Sequence, residues 1–148
     1  MLRRPQALIP CLLALAMIAA TLTGCGPKGP AYADSGALYT KATLSSIFAK
    51  SDITPYAKQP AADVSKLRHD ALTALGRRGG DASKAADLLT ATFPAKTRGV
   101  PVYVEWVTLD GKRALVFVEA IGPINGELTT KRLWALSETG DVIFVATK

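Results

Sequence analysis

VPVYVEWVTL, residues 100–109, Asp110-Gly111, and KRALVFVEAI, residues 112–121, decide the fold. Both runs are rich in β-branched and aromatic residues. Asp-Gly between two such runs predicts a β-hairpin, because a two-residue type I′ turn needs positive φ at both central positions. The turn also fixes a register. Thr108 faces Arg113, Trp106 faces Leu115, Val104 faces Phe117 and Val102 faces Glu119, all on one side of the sheet. The other side carries Tyr103, Glu105, Val107, Val116 and Val118. The first side holds the bulky aromatics, so helices are expected to dock there. The second is apolar for a surface that meets water.

Two further runs follow, LTTKRLWALS at 128–137 and DVIFVAT at 141–147, with ETGD as the turn between them. GPINGE, 122–127, reads as a connecting loop. Upstream the period changes from two to between three and four. Val64, Leu67, Ala71, Ala74 and Leu75 form one helical stripe, stopped by Gly76. Ala82, Ala85, Ala86, Leu89 and Phe93 form another, with Asp81 as the expected N-cap and Pro94 as the end. RRGG links the two. Residues 37–52 read as a short helix, and ITPYAKQP then breaks the chain with two prolines.

The expected class is α+β: a helical hairpin over about 61–93 packed on a four-stranded antiparallel meander over about 100–147. Helices followed by curled antiparallel strands also resemble cystatin-like or nuclear-transport-factor-like cones. Those folds host many functions, so the resemblance implies little about activity.

The N-terminus reads MLRRPQALIPCLLALAMIAATLTGC. Arg3 and Arg4 precede an uncharged apolar run of 11 residues, Leu12 to Leu22. A bilayer-spanning helix needs roughly 20, so the run suits a secretory signal. Leu22-Thr23-Gly24-Cys25 resembles the lipobox that closes the signal peptide of bacterial lipoproteins. That resemblance, confined to residues 1–25, implies removal of 1–24, diacylglycerol on the Cys25 sulfur, and palmitate-type acyl chains in a bacterial membrane. Two or three chains are needed because one holds only weakly, at about 0.8 kcal/mol per buried methylene. Residues 25–36 then read as the lipidated cysteine and a flexible, Gly/Pro-rich tether, and 37–148 as a single domain. The expected location is outside the cytoplasm, on the periplasmic or cell-surface side. Gly26 is not an aspartate, so by the same resemblance nothing there retains the protein at an inner membrane.

The mature chain of 124 residues is long enough for a core without staples. The chain has two cysteines, and Cys11 leaves with the signal, so no internal disulfide, thiol catalysis or cysteine zinc site is expected. The formal charge of +6 falls to +4 once Arg3 and Arg4 leave. A mildly basic domain suits an anionic lipid surface. No basic–aromatic repeat points to nucleic acid.

Candidate chemistry is sparse. Glu105 and Glu119 are the obvious carboxylate pair, but the register sends them to opposite faces unless a bulge shifts it by one. His69, the single histidine, points away from its helix's apolar stripe. Asp63 and Asp70 without His or Cys make a weak metal site, and no metal or cofactor is expected. The serines lack a nucleophile elbow. GRRGG lacks the Lys-Ser/Thr of a phosphate loop and reads as a helix end, or as a basic turn for anionic head groups or cell-wall polymer. Trp106 and Trp134 read as core. The expected function is therefore a non-enzymatic binding or accessory lipoprotein of the cell envelope. Its expected partner surface is Tyr103, Glu105, Val116 and Val118, offered to an envelope protein or a small molecule. A homodimer closing over the same face is the alternative, and a small hydrolase the third reading.

Overall fold

The structure, a computed structural model, describes residues 29–92 and 99–148. Cys25 and the whole signal segment lie outside the described residues, as do Phe93 and Pro94. The fold is α+β. In chain order it contains strand β1 (Ala31–Tyr39), a 3₁₀ helix (Leu44–Lys50), helices α1 (Val64–Gly76) and α2 (Gly80–Thr92), and strands β2 (Gly99–Leu109), β3 (Lys112–Ile121), β4 (Thr130–Ser137) and β5 (Val142–Thr147). The strands make one sheet in the order β1-β2-β3-β4-β5.

The last four strands pair antiparallel, as the hairpin pattern requires. Asp110 and Gly111 take φ of +48° and +80°, the positive values of the expected turn. The sheet nevertheless has five strands, not four, and it is mixed. β1 lies parallel to β2, Ala31 opposite Tyr103 and Leu109 opposite Tyr39. A parallel pair needs a long crossover, and the segment carrying α1 and α2 provides it. The expected tether over 25–36 is corrected accordingly: Ala31 onward is sheet, with Gly36 at φ +59° inside the irregularity between Asp34 and Leu38. A purely antiparallel cone does not describe this sheet.

Three register pairs match expectation, Thr108–Arg113, Trp106–Leu115 and Val104–Phe117. The fourth does not. A shift between Pro101 and Tyr103 puts Pro101, not Val102, opposite Glu119. The extra residue lies upstream of Tyr103, so Glu105 keeps its side of the sheet.

Helix limits differ from the periodic reading. Ala61–Asp63 is a 3₁₀ turn ahead of α1, and α2 opens at Gly80, so Asp81 lies inside the helix rather than capping it. Leu75, Ala82, Ala85, Ala86 and Leu89 pack on Val104, Trp106, Leu115 and Phe117, the aromatic face. The opposite face is covered as well. Segment 37–52 is not one helix: its start belongs to β1, and Leu44, Ile47 and Phe48 of the 3₁₀ helix pack with Tyr56 over Tyr103, Val116 and Val118. The sheet is thus buried on both sides, which is why nearly all of β2 and β3 is apolar.

Candidate functional site

Each sheet face carries one buried carboxylate, and each is held by cations from elsewhere in the chain. Glu105 is 1% exposed. Its Oε2 accepts from the Tyr103 hydroxyl at 2.8 Å and from Lys50 Nζ at 3.1 Å, and its Oε1 accepts from Ser35 Oγ at 2.5 Å. Lys50 is the last residue of the 3₁₀ helix and lies 5.4 Å from the centre of the Tyr39 ring. Side chains from three elements, β1, the 3₁₀ helix and β2, therefore meet at one acid. A hydrogen bond with Tyr39, reinforced by Glu105, holds the Lys50 ammonium above its ordinary range. Burial, with the Glu105 hydrogen bond second, pushes the Tyr103 phenol up to about 12.

Glu119 is fully buried on the other face. Its Oε1 accepts from Arg132 Nε and from Trp134 Nε1, each at 2.7 Å. Arg68 Nη1 lies 3.8 Å from Oε2 and also donates to the Gly99 carbonyl, while Nη2 donates to the Leu89 carbonyl. Burial depresses the Arg68 guanidinium, against the pull of Glu119. Oε2 has no hydrogen bond among the described residues. Gly99 sits against this carboxylate so closely that a Cβ there would run into it. Trp134 stacks on Phe117 at 6.3 Å with Arg132 over its outer side.

The two glutamates thus stay on opposite faces and never share a pocket, so acid–base work by the pair is not available to this geometry. His69 is exposed, and Asp70 is taken by Lys66 at 2.9 Å. No group of three or more His, Cys, Asp or Glu is placed to hold a metal among the described residues.

The expected partner surface needs correction. Tyr103, Glu105, Val116 and Val118 are 7%, 1%, 0% and 0% exposed. The chain's own segment from Leu44 to Tyr56 occupies the face that was expected to be open. Self-association through that face loses its surface for the same reason.

Two grooves are open among the described residues, one of them at the hairpin end. A shallow groove of about 490 Å³ runs between α2 and the sheet, lined by Lys84, Asp87, Leu88, Ala91, Trp106, Arg113 and Glu138. Arg113 caps it. Its guanidinium stacks 4.6 Å from the centre of the Trp106 ring and pairs with Asp81 at 2.8 Å, with Asp34 and Glu138 each at 3.8 Å. Hydrogen bonds from Lys84, then Arg113, hold the Asp81 carboxyl down to about 2. Trp106 Nε1 donates to the Asp81 carbonyl. A second groove, about 340 Å³, is lined by Phe48, Ala49, Ile53, Thr129, Lys131 and Lys148, but Lys131 is already spent on the carbonyls of Phe48 and Ser51. Sequence reading missed Ser35, Lys50 and Arg68 as partners of the buried acids. Each meets its acid only through tertiary contacts.

No family model, curated protein or solved structure matches this chain. No helix among the described residues is long and apolar enough to cross a membrane.

Proposed function

We propose that this chain is a bacterial lipoprotein, held at the outer side of a membrane by acyl chains on Cys25, and that its domain is a non-enzymatic binding or accessory module of the cell envelope. The observation that carries the reading is Leu22-Thr23-Gly24-Cys25 at the close of a short apolar run led by two arginines. The module reading rests on where the polar groups are spent. Glu105 and Glu119 are each consumed in ion pairs that tie distant segments together. The surface left for an envelope protein or small-molecule partner is the groove beside Trp106 and Arg113, with an aromatic edge and charges of both signs.

Labelled palmitate fed to cells making the protein tests the anchor. The wild type is expected to take up label and to sediment with membranes, and Cys25→Ser to do neither. Recovery of an intact leader peptide, or of an unmodified Cys25 thiol on the wild type, overturns it. For the module, Leu88→Arg in the groove wall is expected to abolish co-purification of a partner with the acylated protein, while Tyr103→Phe leaves it unchanged.

A further inference from the structure

We propose that the α1–α2 turn, led by Arg77 and Arg78, is the face this domain lays against anionic lipid headgroups. The inference rests on the acylated-Cys25 reading and adds an orientation to it.

The chain leaves the fold against α1. Gly29 and Pro30 are not free linker. A Cβ at Gly29 would meet the Ala74 Cβ at 2.7 Å, so glycine allows a close approach to α1. Pro30 is buried, and its carbonyl accepts from Arg78 Nη2 at 2.9 Å. The anchored end therefore emerges beside the C-terminal end of α1.

The reach from Cys25 to that point is short. Only Gly26, Pro27 and Lys28 separate Cys25 from Gly29. At about 3.5 Å per residue, four steps span roughly 14 Å even when fully drawn out. Screening at physiological salt sets in at about 8 Å. Whatever lies beside Gly29 thus sits within electrostatic range of the headgroups much of the time.

That place is also basic and accessible. Arg77 and Arg78 are exposed, and the Arg77 guanidinium has no hydrogen bond or ion pair among the described residues. The nearest acids along the chain are already neutralised, Asp70 by Lys66 and Asp81 by Lys84 and Arg113. Gly79 and Gly80 follow at φ +72° and +55°, and a Cβ on either would meet nothing within 4 Å. The turn presents two cations on a bare backbone, with no side chain standing between them and an approaching surface. Among the described residues the other adjacent exposed cations are Lys112 and Arg113, and Arg113 is paired with Asp34, Asp81 and Glu138.

The test uses the acylated protein purified from membranes and returned to two kinds of vesicle, pure phosphatidylcholine and phosphatidylcholine with phosphatidylglycerol. Hydrogen–deuterium exchange reads the backbone over residues 76–81, and the intact mass of the same sample reads the acyl chains. The expected result is exchange slowed about fivefold or more in the anionic vesicles only, reversed by high salt. Arg77→Gln should remove much of that protection, and it leaves the Arg78–Pro30 contact in place, so the fold is not at issue. Equal exchange in both vesicles on a fully acylated sample overturns the orientation while the anchor stands. An unacylated Cys25 overturns the anchor and the orientation with it.

Discussion

Tyr103 and Lys50 set the response to alkali, because both titrate above their ordinary values while gripping Glu105. A raised folded-state pKa adds stability below the unfolded value and loses it as the pH climbs. For Tyr103 that window runs from 10.0 to about 12. The protein is expected to weaken steeply across it, followed by far-ultraviolet circular dichroism. Tyr103→Phe should flatten that slope and cost about 1.5–3 kcal/mol at neutral pH, through a lost hydrogen bond to a buried charge. On the other face, Arg68→Met strands the Glu119 carboxylate. Breaking a buried pair costs about 3–5 kcal/mol, and the low end is expected because Arg132 remains at 2.7 Å. Lys66→Ala breaks only an exposed pair and should leave the urea midpoint essentially where it is. Gly99→Ala pushes a methyl into Glu119 and should cost about 1–3 kcal/mol. The ion pairs of Lys50 and Arg68 with the buried acids are not local. Lys50 meets Glu105 across 55 positions, and no pattern of period two or four encodes such a meeting.

The covering segment is the element that changes how the sheet is read. Ile47 is fully buried. Ile47→Ala should therefore cost about 2–5 kcal/mol by urea denaturation, and a change under about 0.5 would mean that the 3₁₀ helix does not pack there. The β2–β3 hairpin was legible, since Asp110-Gly111 between alternating runs imposes its turn locally. So were the two apolar stripes, though not the first turns of their helices. β1 was hidden. AYADSGALY holds Asp, Ser and Gly, poor strand formers, and gains its place only by pairing with β2. A short helix within 37–52 was legible, but its 3₁₀ form and its bounds at Leu44–Lys50 were not, because three buried side chains in seven residues make no clean stripe. The apolar second face of the sheet was read correctly as apolar and wrongly as open. What covers a face is a tertiary fact, and the covering residues lie far upstream.

At the scale of the whole molecule, Arg113 is the tie between layers. From β3 it reaches Asp34 on β1, Asp81 on α2, Glu138 in the last turn and the Trp106 ring on β2. Asp81 is held down to about 2 from an ordinary 3.8. A depressed carboxyl adds stability above its unfolded value, and that stability drains away as acid carries the pH from 3.8 toward 2. Asp81→Asn should thus unfold with a shallower acid dependence in that window and be less stable than the wild type near neutrality, where the charged carboxyl contributes in full. Arg113→Gln should loosen the α2 side of the groove and raise Trp106 accessibility to a fluorescence quencher. The candidate site was less legible than the fold, because its groove is built from α2, β2, β3 and a turn whose side chains converge only after packing. The parallel pairing of β1 with β2 also orders events in time. Ala31 cannot find Tyr103 until β2 has been delivered, and α1, against which Gly29 rests, precedes it. On the export and acylation proposed above, β1 stays unpaired until Gly99–Leu109 has emerged, so the domain closes only after a leader has been open to trimming and acylation.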